Sequence, residues 1–194
     1  MIEQIELKAV IADKNPTLAR RLPGFLLAYL NRILHVKEIN EFLKLHHEEE
    51  GMAFAEAGIE YLDMHFNVRG LEHLKAEDRP IIVSNHPLGG LDGIAMLIVV
   101  GRQLGNVKLL VNDFLMNITN LRSMFVPVNK HGSNRAYKGQ IDAVVASDDP
   151  LIIFPAGVCS RKLSYGIYDL EWNKSFIKMA RNSGRKVVPA FAGG

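Results

Sequence analysis

The feature that most constrains the fold of this chain is the run from Ile81 to Gly93, which reads Ile-Ile-Val-Ser-Asn-His-Pro-Leu-Gly-Gly-Leu-Asp-Gly. Three apolar residues and a serine lead towards a histidine, a glycine-rich turn follows, and an aspartate opens a long apolar segment. This order predicts a strand, a tight turn and the start of a helix. It places His86 and Asp92 at one strand-to-helix corner, where α/β proteins commonly carry their functional side chains.

The histidine and the aspartate of this corner are a candidate general base and its orienting partner. A histidine held by a carboxylate can accept a proton from a hydroxyl group near neutral pH. Each residue also has a structural explanation, because Asp92 could be a helix N-cap, His86 a hydrogen-bonded core histidine, and Gly89 and Gly90 simple turn residues. Their combination at one strand end favours a functional site.

Short apolar runs alternate with helical segments beyond this corner. The alternation predicts an α/β fold, with a mostly parallel sheet flanked by helices and an N-terminal helical segment. We expect one domain over residues 1–194, with a helical part at 1–63 and an α/β part at 64–194. This part ends directly after a strand, which indicates either a truncated or unusually short chain or a natural end at an edge strand. The predicted strands are 65–68, 81–84, 107–111, 125–128, 151–154 and 186–191, and the predicted helices of this part are 93–104, 114–124, 135–146 and 169–182.

Composition and charge exclude several classes of protein. The chain has 194 residues, of which 48% are apolar, and a formal net charge of +2, which is no signature of nucleic-acid binding. It contains no run of about 18 apolar residues, no signal-peptide pattern and a single cysteine, Cys159, so we expect a cytoplasmic protein without a transmembrane helix. The cluster at residues 46–50 lacks a metal-ligand spacing, and we expect no metal site.

Residues 17–34 form a helical pattern with a broad apolar face that Pro23 interrupts and that Arg20, Arg21 and Arg32 accompany. Two interpretations stay open. The apolar face could pack against a sheet, which is the commoner arrangement, or it could lie on a membrane surface.

Basic residues concentrate in the second half, where residues 130–186 contain ten Lys or Arg against five Asp or Glu. We expect Lys178, Arg181, Arg185 and Lys186 to lie on an ordinary solvated face.

Three predicted strand ends share a polar character, namely 85–87, 128–130 and 154–162. Because the carboxyl ends of parallel strands meet at one edge, we expect one loop to supply a base and the others to supply cations and backbone N–H groups. Ser160 and Lys162 could equally be solvated loop residues. The candidate binding residues are Asn85, Asn129, Lys130, Gly157, Ser160 and Arg161.

These segments together resemble the motif blocks of the lysophospholipid (glycerolipid) acyltransferase superfamily, over roughly residues 64 to 194. The resemblance is closest to the bacterial hemolysin-like branch, which includes enzymes that make ornithine- and glycine-type aminolipids. His86 and Asp92 match the catalytic His…Asp motif, and residues 125–130, 154–161 and 187–190 match the other three blocks in order. Asp169, Trp172 and Lys174 resemble a further pattern of that branch.

Two positions depart from the family pattern. Five residues separate His86 from Asp92 where four are common, a spacing that the hemolysin-like branch tolerates. Ala156 stands where the third block usually has a glutamate that is tied to acceptor binding. Its absence favours an acceptor other than a glycerol-phosphate lipid.

The resemblance implies an O-acyltransferase that moves a fatty acyl group from acyl-CoA or acyl carrier protein to the hydroxyl of a lysolipid, either lysophosphatidic acid or a lyso-aminolipid. It implies that His86 is the base, that Asp92 orients it, and that no acyl-enzyme and no bound cofactor are needed. Lys130 and Arg161 would bind an acceptor phosphate or carboxylate, and N–H groups around Gly157 would face the oxyanion. The protein would lie peripherally on the inner membrane. The alternative is a non-catalytic lipid- or acyl-carrier-binding module of the same fold.

Overall fold

The computed structural model describes residues 4–129, 134–164 and 166–193. The chain divides into two compact units, Met1–Glu49 and Glu50–Gly194.

The first unit contains the helices α1 (Leu7–Lys14), α2 (Pro16–Arg21), α3 (Gly24–Ile33) and α4 (Val36–Leu45). The chain leaves the helical conformation between α2 and α3 at Pro23, as its sequence predicts. The side chain of Asn40 in α4 accepts a hydrogen bond from the N–H of Ile5 at 2.7 Å and donates one to its carbonyl at 3.0 Å. This amide clamp holds the segment before α1 against α4.

Helix α3 leaves an apolar stripe open to solvent. Phe25, Tyr29 and Ile33 recur every four residues and are therefore on one face, where they are 78%, 59% and 48% exposed. No residue of α3 is buried. Across the described ranges, no helix combines the length and the hydropathy that crossing a bilayer requires.

The second unit has the expected α/β architecture. Its helices are α5 (Gly51–Tyr61), α6 (Gly90–Leu104), α7 (Lys138–Ala146) and α8 (Ser175–Ser183). Its strands are β1 (Ile81–Ser84), β2 (Lys108–Asn112), β3 (Phe125–Val128), β4 (Leu151–Ile153), β5 (Arg161–Leu163), β6 (Gly166–Tyr168) and β7 (Val187–Ala190). Short 3₁₀ helices span Leu71–His73, Ala76–Asp78, Asp113–Asn117, Thr119–Met124 and Asn134–Ala136.

Strands β1 to β4 and β7 form a five-stranded sheet in the order β3-β2-β4-β1-β7. Each adjacent pair is parallel, with Ile81 of β1 opposite Leu151 of β4 on one side and Val187 of β7 on the other. The α/β class predicted from the sequence is therefore confirmed. The parallel arrangement also brings the carboxyl ends of all five strands to a single edge of the sheet.

The two central strands explain why this sheet forms. Every residue of β1 and of β4 is buried, as expected for parallel strands that are covered on both faces. On one face, side chains of β1 and β4 pack with α7 and α8 into a core cluster. That cluster contains Ile81, Val83, Val126, Ile141, Val144, Leu151, Ile153 and Ala180.

The amino edge of the sheet is held by Arg185, which is only 4% exposed. Its guanidinium donates hydrogen bonds to the carbonyl oxygens of Arg79 at 2.6 Å, Val144 at 2.9 Å and Pro80 at 3.4 Å, and also to that of Asp149. The expectation that Arg185 lies on a solvated face was wrong. The chain reverses after α8 and turns this side chain under the sheet, where backbone carbonyls that precede β1 and β4 need donors.

Three other local predictions differ from the structure. Residues 65–68 are irregular rather than a strand, because their alternating apolar residues have no partner strand. The predicted helix at 114–124 consists of the two 3₁₀ helices named above, which meet at Ile118. Helix α8 begins at Ser175 rather than at residue 169, and β5 and β6, which the sequence did not predict, pair antiparallel just before it.

Candidate active site

The corner between β1 and α6 depends on Gly89. This residue has φ +66° and ψ −128°, a conformation open essentially to glycine alone, and α6 begins directly after it. A Cβ atom at this position would lie 3.2 Å from Sγ of Cys159. The glycine therefore lets the chain turn sharply while the loop after β4 packs close against it.

The turn brings His86 and Asp92 together. Nδ1 of His86 lies 3.3 Å from Oδ2 of Asp92, and the two side chains are 17% and 3% exposed. Asp92 is the third residue of α6, not its N-cap, and its Oδ2 also accepts a hydrogen bond of 2.7 Å from the N–H of Leu88. The carboxylate of Asp92 thus stabilises the turn and also faces the imidazole of His86. Its position is compatible both with a structural role in the turn and with orienting the histidine.

The buried side of the imidazole faces the carboxylate. Nδ1 of His86 is inaccessible to solvent, and its contact with Asp92 is at ion-pair distance without the alignment of a hydrogen bond. The exposed fraction of the ring therefore lies away from Asp92. With the proton on Nδ1, Nε2 is left as the hydrogen-bond acceptor.

Burial sets the charge of this histidine. Desolvation lowers the pKa of His86 below its usual value, and the carboxylates of Asp92 and Asp169 offset part of that lowering. The imidazole is therefore neutral at pH 7, which is the form that can accept a proton.

The loop after β4 forms the second wall of the site. The ring of Phe154 stacks on the imidazole of His86, with the centroids 4.0 Å apart and the planes at 23°. The N–H of Ser160 donates to the carbonyl oxygen of His86 at 2.8 Å. The two strand-end loops are thus joined at the histidine by a ring contact and a backbone hydrogen bond.

The loop after β4 has two backbone N–H groups that could bind a substrate, but that of Gly157 is not one of them. Gly157 has φ +65°, and its N–H donates to the carbonyl oxygen of Phe154 at 2.9 Å, which closes a tight turn. The N–H groups of Val158 and Cys159 donate to no acceptor among the described residues. These two groups, beside the glycine, are the loop's candidates for binding a developing oxyanion.

Asn85 has a clear structural task next to the histidine. Its Nδ2 donates to the carbonyl oxygen of Ala192 at 2.8 Å, and its Oδ1 accepts from the N–H of Ala192 at 2.7 Å. The side chain thereby extends the pairing of β1 and β7 beyond the last strand residues. Its role in substrate binding stays a prediction.

The remaining predicted binding residues are Asn129, Arg161 and Lys130. Asn129 directly follows β3, which is separated from β1 by β2 and β4. Three inter-strand steps correspond to about 14 Å, so Asn129 is too far away to contact a group that reacts at His86. Arg161 opens β5, directly after Ser160, and is exposed. Lys130 lies outside the described residues.

Asp169 and Trp172 join the site, although sequence reasoning assigned them no role. The Oδ1 atom of Asp169 accepts from the hydroxyl of Ser160 and from the backbone N–H of His86 at 3.4 Å, and its Oδ2 accepts from Nε1 of Trp172 at 2.7 Å. A sequence signal existed, because Asp169 is the only acidic residue between Leu151 and Leu170, in a stretch without helical periodicity.

The arrangement is suited to removing a proton from a neutral hydroxyl group. It offers a neutral imidazole with one nitrogen held towards a carboxylate, a stacked aromatic ring and nearby backbone donors. In the part of the chain that the structure describes, no group of three or more His, Cys, Asp or Glu residues is placed to hold a metal ion.

A fold and a site of this kind match a known class of proteins. The sequence profile of a protein family described as "Acyltransferase" matches residues 9–194, which is nearly the whole chain. The chain belongs to this acyltransferase family and is an acyltransferase, which decides against the alternative of a non-catalytic binding module.

Two relatives narrow the comparison. The chain is 43% identical over 192 residues to a lyso-glycine lipid O-acyltransferase of Bacteroides thetaiotaomicron, which covers 98% of this chain and 71% of that protein. It is 41% identical over 187 residues to the protein of the same name from Phocaeicola vulgatus, covering 95% of this chain and 67% of that protein. The family resemblance recognised from the motif blocks is confirmed.

Proposed function

We propose that this enzyme transfers a fatty acyl group from a thioester to the hydroxyl of a lyso-aminolipid, such as lyso-glycine or lyso-ornithine lipid, in membrane lipid synthesis. The observation that carries the proposal is the buried imidazole of His86, whose Nδ1 lies 3.3 Å from the Asp92 carboxylate. The acceptor class is supported by the names of the two relatives and by Ala156 in place of the family's acceptor-binding glutamate.

In the proposed reaction His86 acts as base and then as acid. Its Nε2 removes the proton from the acceptor hydroxyl while that oxygen attacks the thioester carbonyl carbon. Asp92 orients the imidazole and stabilises the imidazolium that forms. The tetrahedral intermediate collapses by breaking the carbon–sulfur bond, and His86 returns the proton to the departing thiolate. The products are an ester and a free thiol.

The negative charge of the tetrahedral intermediate falls on the former carbonyl oxygen. The N–H groups of Val158 and Cys159 are the donors proposed for this oxyanion, because the adjacent N–H groups of Gly157 and Ser160 are already bonded. Their loop is tied to His86 through Ser160, which keeps donors and base in one rigid unit.

The donor is proposed to be a thioester of acyl carrier protein or of coenzyme A, both of which carry negative charge. Helix α8 supports an anionic donor, since Lys174, Lys178 and Arg181 share one face around Ile177, which is 44% exposed. That helix begins three residues after Trp172, which contacts the site through Asp169. A basic face that begins at the reacting edge would attract the phosphates of coenzyme A or an acidic carrier protein.

The acceptor head group is proposed to bind to cations at the same edge. Arg161 directly follows Ser160 and could bind the carboxylate of an amino-acid head group with two parallel hydrogen bonds, whereas Lys130 would act as a point charge. Asn129, about three strand spacings from His86, would contact a more distant part of the lipid.

We propose a peripheral position on the cytoplasmic face of the inner membrane. The support is the open stripe of Phe25, Tyr29 and Ile33 on α3, together with Arg32 in its last turn. Apolar side chains flanked by arginine are typical of helices that lie in the interface of anionic membranes.

One experiment tests the acceptor, the donor and the membrane contact together. The purified chain is mixed with acyl carrier protein or coenzyme A thioesters and with anionic vesicles that contain lyso-glycine lipid or lysophosphatidic acid. Mass spectrometry measures the product, and sedimentation of the vesicles measures binding. We expect the kcat/KM for lyso-glycine lipid to be at least roughly tenfold higher than that for lysophosphatidic acid. Loss of one charged contact between enzyme and acceptor can produce a difference of this size.

The outcomes separate the parts of this proposal. A preference for lysophosphatidic acid would contradict the inference from Ala156, and acylation of neither lipid would refute the lysolipid acceptor. Chain that stays in the supernatant at low salt would contradict membrane contact, because apolar insertion and charge attraction both act there.

A further inference from the structure

Asp169 is the meeting point of three segments around the candidate active site. Its carboxylate accepts hydrogen bonds from the Ser160 hydroxyl, from the His86 backbone N–H at 3.4 Å and from Trp172 Nε1 at 2.7 Å. These donors come from the loop after β4, the loop after β1 and the segment before α8. A single side chain therefore connects the histidine to both ends of the β5–β6 hairpin.

The charge of Asp169 is as notable as its hydrogen bonds. Asp169 is half-buried, and within the described residues no lysine, arginine or histidine forms an ion pair with it. The three donors engage both carboxylate oxygens, and a neutral amide has only one acceptor oxygen, so a carboxylate is needed to accept all three bonds. Its negative charge then lies next to the His86 loop without a cation among the described residues to balance it.

We propose that Asp169 is a positioning residue, which fixes the His86 loop against the hairpin base and favours the imidazolium that forms when the acceptor loses its proton. This inference rests on the proposed function, since it assigns a task in the same proton transfer. The ionisable groups that act on His86 are Asp92 and Asp169, and both raise the pKa of His86 against the effect of burial.

The test replaces Asp169 with asparagine, which keeps the size of the side chain, removes its charge and turns one of its two acceptor oxygens into an NH2 donor. Removing a negative charge near His86 lowers the pKa of the imidazole further. The acid limb of the pH profile, which is the fall of kcat/KM as His86 becomes protonated, therefore moves to lower pH. We expect kcat to fall roughly tenfold, a part of the 10²- to 10⁴-fold contribution of a general base. The KM for the thioester donor stays unchanged, because Asp169 contacts no proposed donor-binding residue.

Two matched variants separate charge from hydrogen bonding. Trp172→Phe removes one donor to Asp169 and keeps the charge, so it should leave the acid limb in place. Glu171→Gln removes an exposed carboxylate of the same segment that does not act on His86, so it should change neither kcat nor the pH at which kcat/KM falls. Identical pH profiles for Asp169→Asn and Glu171→Gln would overturn the proposal.

Two readouts do not require activity, so failure of this inference is distinguishable from failure of the proposed function. Trp172 is the only tryptophan of the chain, and its fluorescence emission should change in Asp169→Asn but not in Glu171→Gln. The NMR titration of the His86 imidazole, assigned by its absence in His86→Ala, should move to lower pH in Asp169→Asn. An unchanged titration would refute the role of Asp169 even in a protein that acylates no lysolipid.

Discussion

The two edges of the parallel sheet each bury charged or titratable side chains, but they use them in opposite ways. At the amino edge, the guanidinium of Arg185 is 4% exposed and donates to a set of backbone carbonyls that includes those of Arg79 and Val144. At the carboxyl edge, His86 is 17% exposed, and only its buried nitrogen faces a partner, Asp92. One edge satisfies its hydrogen-bonding groups internally, and the other leaves an imidazole nitrogen for a substrate.

This difference shows that burial of a polar group does not by itself indicate function. A guanidinium has only donors, and at the amino edge two of them meet the carbonyl oxygens of Arg79 and Asp149, which have no other partner among the described residues. Arg185 therefore contributes to stability. The imidazole can donate and accept, and the structure engages it on one side only. Substitutions at the two edges should therefore separate activity from stability.

The largest effect is expected for His86→Ala. Loss of the proposed base should lower kcat/KM at least about 10³-fold, which corresponds to roughly 4 kcal/mol of transition-state stabilisation. Thermal unfolding should change little, because the contact of the His86 side chain with Asp92 lacks the alignment of a hydrogen bond. Steady-state acyl transfer and a melting curve on the same preparation measure both quantities.

A rate for this variant within tenfold of the wild type would contradict the proposed base. Unfolding of the variant would show that His86 also stabilises the fold. The division between a stabilising amino edge and a reactive carboxyl edge would then be wrong.

The second effect concerns stability and is expected for Arg185→Met. Methionine fills much of the volume but removes the donor to the carbonyl oxygens of Arg79 and Asp149, which have no other donor among the described residues, and this should cost about 3 kcal/mol of unfolding free energy. Denaturant unfolding measures this loss. The kcat of the folded fraction should remain that of the wild type, because the guanidinium contacts the opposite edge from His86.

The adjacent residue offers a matched control. Nζ of Lys186 lies 2.7 Å from Oδ1 of Asp78, and although Asp78 is only 16% exposed, the lysine side chain is 66% exposed, so water can solvate the charge of the pair and its loss should cost about 1 kcal/mol, less than the loss of the buried guanidinium. Equal losses for Arg185→Met and Lys186→Met would show that the buried carbonyls are not what Arg185 stabilises.

The sequence predicted the carboxyl edge better than the amino edge, for physical reasons. The order strand, histidine, glycine turn and aspartate is local, so His86 and Asp92 could be placed at one corner without knowledge of the sheet. Arg185 bonds to residues 36 to 106 positions away in the chain, and no local pattern reports such contacts. Its neighbours in the sequence are basic and polar, which made a solvated face the natural expectation.

The hairpin and the strand order were beyond local patterns as well. The strands β5 and β6 have three residues each and are exposed, so they lack the buried apolar run that indicates a strand. The sequence also placed Asn129 at the same edge as His86 but could not predict that β2 and β4 lie between their strands. Parallel pairing decides that two strand ends lie at the same edge of the sheet. The order of the strands decides how far apart they lie along that edge.

The smallest effect is a difference in how the two edges respond to pH. Because burial lowers the pKa of His86 from 6.5, the imidazole stays neutral to a lower pH than a free histidine, and kcat/KM should fall only as pH drops through a midpoint below 6.5. The guanidinium of Arg185 keeps its charge throughout this range, so its contribution to stability should not change. Initial rates measured from pH 5 to 8, with unfolding curves at the same values, compare the edges directly. A midpoint above 6.5 would mean that the carboxylates of Asp92 and Asp169 outweigh desolvation at the carboxyl edge.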